Sequence, residues 1–460
     1  MNPNISLPRQ LFNLSWPVLV GQAAVMAYTL IDTLMAGQIS PTDLAAVGVG
    51  ASIYASIFVT AMGVLLALPP IVAHHYGAGR FAEIGSDVRQ SMWLAFFLSI
   101  IAVTALRFPE PLLALSQIEP ALEIKVRAYL SGVAWSIPAV LFFRVFYGFT
   151  IGISRPRAVM ALNVLGLLLK LAFNTVLMFG YLGFPALGGA GAGWSSALTM
   201  TMLAGIAWVW CYRQREFSAY GVFSRFDWPQ WQPIKEFLRL GLPTGAMFLV
   251  DVTAFTFMAL FVARLGSATS AAHQIISSVV IFLYTFPLAL GNATGVLVGQ
   301  SLGAGDPVKA RQAGWLGVKI GMSISFALSL LVAFNAQSLA AIYTNDETVR
   351  QLAASLFLLV LVFHPFDALQ GMFAQILRGY KRATVPMIIY AVALWGVGLA
   401  GGYVLGLTDL LGAARGISGF WMAASAGLFV AGISVTLYFR HVAAHAVSVL
   451  PMVVGAGVKK

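Results

Sequence analysis

Val362–Arg382 reads VFHPFDALQGMFAQILRGYKR, and the fold turns on what this stretch is. It is hydrophobic over the length of a membrane crossing, holds a proline and a carboxylate near its middle, and ends in a basic cluster. An ionisable group at bilayer depth costs roughly 2.5–3.5 kcal/mol on insertion scales, so Asp367 marks a place where the chain needs a charge. Pro365 removes a helix hydrogen bond and leaves a carbonyl free to face a polar cavity. The segment reads as one wall of a polar site inside a membrane protein.

Composition points the same way. The 460 residues are 59% hydrophobic and 9% charged, against about 25% charged in an ordinary soluble domain. A soluble core of this size would need a charged shell that the chain cannot supply. The net charge is +11, but the basic residues sit in short loops between apolar runs, as at a cytoplasmic membrane surface. No nucleic-acid partner is expected; the lipid bilayer is. Cys211 stands alone, which permits neither an internal disulfide nor a multi-thiolate metal site. The first apolar run, after MNPNISLPRQLF, is of full spanning length and contains Asp32, so it predicts a retained helix and not a cleaved leader.

Twelve spanning helices are predicted, at 14–36, 47–71, 90–107, 128–150, 158–180, 190–212, 238–264, 271–299, 313–335, 350–376, 384–406 and 417–439. With the N-terminus inside, the cytoplasmic loops carry Lys and Arg in a ratio of about three to one over the other side, which predicts both termini cytoplasmic. The longest interior connection, Tyr212–Glu236, is basic and aromatic and divides six helices from six. The expected organisation is an N-lobe at 1–212, a cytoplasmic linker at 213–236, a C-lobe at 237–440 and a cytoplasmic tail at 441–460.

The halves repeat. LSWPVLVG around Pro17 matches LGLPTGAM around Pro243. VAHHYGAGR, ending at Arg80, matches VGQSLGAGD, ending at Asp306. GISRPRAVM, from Gly152, matches GYKRATVPM, from Gly379. Three pairs in order at an offset of about 226 residues indicate an internal duplication. An even number of helices per repeat makes the repeats parallel, which predicts two six-helix lobes related by a pseudo-two-fold along the membrane normal, with a site between them. The fold class is thus an all-α integral membrane protein.

Polar residues inside the spans nominate the site. Asp32, Asp251 and Asp367 lie in helices 1, 7 and 10. Lys170 and Asn174 are four apart on helix 5, with Asn163 on the same stripe. Helix 8 carries His273, Gln274, Ser277, Ser278 and Tyr284; His273 and Gln274 stand near its start, where interfacial or packing roles compete with lining a cavity. Asp32, nearest a helix end, also admits a structural role, and Lys170 either neutralises Asp32 or a carbonyl, or takes part in transport. A carboxylate in a membrane cavity can carry a proton, bind a dehydrated cation or pair with a cationic substrate, one occupant at a time. That exclusivity couples an inward ion to an outward substrate. The GAG turns lack the lysine and Ser/Thr of a phosphate loop, and neither H-E-x-x-H nor G-x-S-x-G occurs. An enzyme is not expected, and no cofactor.

At these residues the sequence resembles the multidrug and toxic compound extrusion (MATE) family, in its bacterial NorM-type branch. LIDTLMAG with Asp32, LAAVGVG, the YGAGR and SRPR turns, PALGGAGAG at 185–193, AAHQI and LRGYKRATVPM carry the resemblance, which covers nearly the whole chain. It implies a cavity open alternately to each side and efflux of organic cations and drugs, driven by Na⁺ or H⁺ entry. The bacterial inner membrane is the expected location, and a monomer is expected because a duplicated chain with an internal cavity needs no partner to form one. Asp32, Asp367 and Asn174 match carboxylate and asparagine positions of the family, and Asp251 stands where NorM-type members usually have glutamate. Lys170 replaces a further asparagine, so its ammonium is expected to take an ion's place beside Asp32. Asp251, Asp367 and Asp32 are the cation or proton coupling candidates: Asp251 and Asp367 are the expected cation pair, and the Na⁺ ligands if sodium is the ion, while Asp32 with Lys170 and Asn174 forms a second, proton-linked or structural cluster. Lys170, Asn174, Gln274, Ser277 and Tyr284 are the candidate substrate-cavity residues. The alternative is a flippase for a lipid-linked saccharide, which would favour a strongly cationic cavity; three Asp against Lys170 and Arg144 give an acidic balance instead.

Overall fold

The computed structural model describes residues 6–110, 113 and 119–448. The last residues of the expected tail, 449–460, and most of the polar stretch 111–118 lie outside the described residues. Among the described residues the secondary structure is helical: α1 Leu7–Ile39, α2 Pro41–Leu65, α3 Leu68–Gly77, α4 Phe81–Arg107, α5 Pro120–Ala134, α6 Ser136–Gly152, α7 Pro156–Phe179, α8 Gly189–Arg213, α9 Arg215–Ser218, α10 Trp231–Ala263, α11 Ser267–Gly303, α12 Pro307–Phe334, α13 Ala336–Tyr343, α14 Glu347–Phe357, α15 Val360–Gly379, α16 Thr384–Leu407 and α17 Gly416–Ser448. Eleven of these spans are long and apolar enough to cross a bilayer, and α5 with α6, bent by 40°, makes a twelfth.

Local chemistry sets where the helices begin. Pro41, Pro120, Pro156 and Pro307 occupy first positions, where a missing N–H costs nothing. Ser40, Asp306 and Asp346 cap α2, α12 and α14 by accepting from Asp43 N, Lys309 N and Val349 N at 3.0, 2.9 and 3.0 Å. Several spans depart from single smooth helices. The second expected span is broken at Leu66–Ala67 and the tenth at Leu358–Leu359. The last runs on to Ser448, beyond the expected end at 439. Residues 392–400 of α16 wind as a π-helix.

The duplication is written into the backbone. Arg80 N donates to His75 O and Asp306 N to Ser301 O, each at 2.9 Å. Two connections between spans later, Arg155 N reaches Thr150 O at 2.7 Å and Arg382 N reaches Leu377 O at 2.9 Å. The second pair of turns places Ser154 and Lys381 at φ 62° and 56°, a left-handed conformation unusual for residues with a side chain. Equivalent turns hold equivalent geometry although the residues in them differ.

The chain divides into two compact units. One is Pro17–Gly245; the other joins the residues before Pro17 to those from Ala246 onward. Both passages between units fall inside long helices, α1 and α10, beside Pro17 and Pro243. In the first unit, the N-lobe, α10 closes on α2 where Gly63 meets the backbone of Gly245, too near for any side chain. The loop 214–230 is docked on α4 of the same unit. Arg89 donates to Asp227 at 2.7 Å, Gln90 donates to Trp228 O at 2.9 Å, and Trp93 stacks on Trp228. In the second unit, the C-lobe, Trp421 is fully buried among Phe255, His273 and Phe363. Outward faces are as apolar as the cores, with Leu30, Ile101, Leu168, Phe326 and Leu331 exposed, as suits lipid.

Candidate functional site

In the N-lobe, α7 presents Asn163, Lys170 and Asn174 along one stripe, and α1 faces it. Tyr28 donates to Asn163 O at 2.6 Å and Asn163 donates to Gly21 O at 3.3 Å, which ties the two helices together. One turn beyond Tyr28, Asp32 meets the ammonium of Lys170 at 2.9 Å and accepts from Asn174 at 2.7 Å, both on Oδ1. Lys170 is 2% exposed. Its other two hydrogens go to Ser196 Oγ at 2.6 Å and Ala192 O at 3.0 Å on α8, so all three donors are used. A buried ion pair lasts only where the remaining hydrogen-bonding capacity is also met, and here the ammonium's is.

This cluster forms one wall of a cavity of about 530 Å³ within the N-lobe. Tyr54, Phe58, Tyr129, Phe143 and Tyr147 line it, with Tyr54 and Phe58 stacked at 5.5 Å. Arg144 lines it too. Its guanidinium lies 5.8 Å from the Phe58 ring and 5.4 Å from the Tyr147 ring.

The C-lobe holds the other two carboxylates under different conditions. Asp251 on α10 accepts from the Tyr390 hydroxyl at 2.5 Å. Asp367 on α15 lies near the Gln370 side chain and close enough to Asp251 for the two carboxylates to repel. Gln370 is buried and its Oε1 is an acceptor without a donor among the described residues. The Tyr284 hydroxyl lies against Gly371, on the same helix as Asp367. Neither carboxylate has an ion pair among the described residues. Tyr390 is held two residues before the π-helical turn, whose Trp395 donates to Val250 O at 3.3 Å, next to Asp251. π-turns recur at functional sites because they displace side chains from the ordinary helical stripe.

The structure thus brings Asp32, Lys170 and Asn174 together in one lobe, and Asp251, Asp367 and Tyr284 in the other. Gln274 is exposed and Ser277 half-buried on α11 in the C-lobe, so neither lines the N-lobe cavity that Lys170 borders. His273 is buried 5.7 Å from Trp421, a packing position. Sequence reasoning missed Tyr390 and Gln370, and it missed two anchoring acids. Asp43 accepts from Lys125 at 2.7 Å and from Gly189 N at 2.9 Å, and Asp227 holds Arg89. The Ser40-Pro41-x-Asp43 capping pattern was a visible signal for the first; nothing in the sequence pairs Tyr390 with Asp251.

Comparison with known proteins agrees with this architecture. The MatE family model matches residues 17–176 and 243–404, one match per half. A protein named probable multidrug resistance protein NorM from Aromatoleum aromaticum is 34% identical over 432 residues, 94% of this chain and 93% of that protein. Multidrug resistance protein PmpM from Pseudomonas aeruginosa is 35% identical over 92% of this chain and 89% of that one. A crystal structure of MATE in the bent conformation superposes with a TM-score of 0.89 at 19% identity, covering 97% of each chain. An outward-facing multidrug resistance MATE family transporter gives 0.87 at 20% identity, over 96% of this chain and 97% of its own. With the family model spread over both halves and relatives of this identity along almost its entire length, this multi-pass membrane protein belongs to the MatE family.

Proposed function

We propose that the chain is a secondary antiporter that exports cationic or amphipathic drug-like compounds in exchange for Na⁺ or H⁺. The observation that carries this reading is the charge balance of the C-lobe: Asp251 and Asp367 lie near each other, and among the described residues no basic side chain is paired to either. An ion or proton arriving from outside occupies the pair and removes one of its two negative charges, and the pair then holds a cationic substrate less tightly. Each elementary charge moved inward brings about 2.3 kcal/mol per 100 mV of membrane potential. If the ion is Na⁺, the ligands on hand are hard oxygens, namely the two carboxylates, the Tyr390 hydroxyl and the orphan Gln370 Oε1. Hard oxygen donors suit an alkali cation and not a soft metal. The named relatives, all called multidrug resistance proteins, support the substrate class. Alternating access would use α1 and α10 as flexing rods, because the chain changes unit inside both, beside a proline. The reading includes a monomer in the bacterial inner membrane with both termini cytoplasmic.

The test is efflux of ethidium from cells stripped of their own pumps, for wild type and Asp367→Asn, with a Na⁺ pulse and separately a protonophore. Efflux that starts on Na⁺ or collapses with the protonophore, and is lost in the variant, is the expected result and identifies the ion. Gradient-independent efflux, or full coupling in the variant, would sink the assignment.

A further inference from the structure

The loop 214–230 joins two spans, α8 and α10, and so lies at a membrane surface. Between this loop and α4 runs a groove of about 570 Å³, whose charged lining is Arg89, Arg225 and Asp227. Arg89 is fully engaged: Nε and Nη2 meet Asp227 Oδ2 at 2.7 and 2.6 Å, and Nη1 donates to Gly221 O at 2.5 Å. Arg225 reaches the other oxygen, Oδ1, through Nε at 2.9 Å, and its side chain is 67% exposed. Two guanidiniums therefore share one carboxylate, and the groove keeps one positive charge. The terminal nitrogens of Arg225 have no partner among the described residues. A guanidinium fork with open donors fits a phosphate. The rest of the groove is aromatic. Trp93 stacks on Trp228 and meets Phe226 edge-on at 5.9 Å, and the rings of Phe226 and Trp228 are 70% and 72% exposed. Exposed rings of this kind belong to the headgroup level of a bilayer. From Trp93 the groove passes along α4 to Phe96, and Ile100, one turn further, continues the same exposed apolar face deeper into the span.

We propose that this groove seats an anionic phospholipid, its phosphate on Arg225 and an acyl chain along Phe96 and Ile100. The charged end of the groove calls for an anion and the α4 face calls for hydrocarbon. A soluble anion would use the first alone, and an apolar compound the second alone. A zwitterionic headgroup brings its own cation to the one positive charge and loses most of the attraction, so a singly negative headgroup such as phosphatidylglycerol is the better match. Seated here, the lipid covers the rings of Phe226 and Trp228 and clamps the loop to α4, where Arg89 and Gln90 already hold it. Binding at this place needs neither an exported compound nor a coupling ion.

The experiment is native mass spectrometry of the purified full-length protein in maltoside micelles, titrated with dioleoyl phosphatidylglycerol and, in parallel, dioleoyl phosphatidylcholine. The two share acyl chains and a phosphate and differ in net charge. Wild type should bind the first phosphatidylglycerol about fivefold or more tighter than phosphatidylcholine, the effect of one basic side chain at a membrane surface. Arg225→Gln should lose that preference and Arg225→Lys should keep it. The Arg89–Asp227 pair survives both changes, so the loop stays docked. Arg440→Gln removes an exposed arginine of α17 as a control for overall charge and should leave the preference intact. Equal affinity of wild type for the two lipids would overturn the proposal without reference to any variant. So would equal losses in Arg225→Gln and Arg440→Gln, the mark of diffuse attraction to a basic protein. A preference abolished by millimolar inorganic phosphate would make the groove a free-anion site and overturn the lipid assignment.

Discussion

The two lobes descend from one duplicated unit, yet they treat a buried carboxylate in opposite ways. In the N-lobe, Asp32 shares its Oδ1 between the Lys170 ammonium at 2.9 Å and the Asn174 amide at 2.7 Å. In the C-lobe, Asp251 and Asp367 have a phenol and an amide for company and, among the described residues, no cation. A carboxylate with a covalently attached counter-charge has little to gain from a visiting one. A pair of carboxylates without a counter-charge is incomplete until something positive arrives. The difference teaches that duplication supplied two similar scaffolds, and that a single lysine on α7 gives one of them an internal counter-charge.

The comparison can be broken most directly at the C-lobe pair. Asp251→Asn or Asp367→Asn should abolish gradient-driven dye efflux, read as accumulation equal to that of cells with empty vector; retained efflux in both would erase the contrast. The next effect in size is on stability. Lys170→Met strands Asp32, and breaking a buried pair in this way costs roughly 3–5 kcal/mol. Adding Asp32→Asn should recover most of it, and a thermal unfolding cycle of the three variants in detergent measures the coupling. If the single and double variants unfold together, the pair is not what holds the lysine. If the ion is Na⁺, Tyr390→Phe removes one oxygen ligand beside Asp251 and should raise the Na⁺ concentration for half-maximal efflux by about tenfold. Unchanged ion dependence would separate Tyr390 from the coupling site. Ser196→Ala takes one of three acceptors from Lys170 and should cost about 1 kcal/mol of thermal stability while leaving ion dependence alone.

Much of this was legible in the chain. Apolar runs of spanning length gave the helices, because a bilayer forces each crossing to satisfy its own backbone, and three repeated segments, two of them turns, gave the duplication. Lys170 and Asn174 could be grouped because four-residue spacing on α7 dictates a shared face; Asp32 lies on α1, and the family resemblance set it beside them. The partners of Asp251 could not be found this way. Tyr390 stands 139 residues further on and is aimed by a π-turn, which ordinary helical spacing does not anticipate. The breaks at Leu66–Ala67 and Leu358–Leu359 were hidden too, since both sides of each break are apolar. In lipid the outside of a helix is as apolar as its inside, so the amphipathic stripe that reveals a face in a soluble protein is weak here. Arg144 shows the consequence. Its presence in a span was plain, but its role depends on which rings surround it.

The full engagement of the Lys170 ammonium has a chemical consequence. A lysine whose three hydrogens are all taken, at 2% exposure, offers no nucleophile to an amine-directed reagent. It becomes reactive only when α7 parts from α8 or from α1. Acylation of this one side chain, followed by mass spectrometry over time, is therefore a clock for how often the N-lobe opens, and its rate with and without bound ligand reports that opening in a protein that carries no dye or spin label.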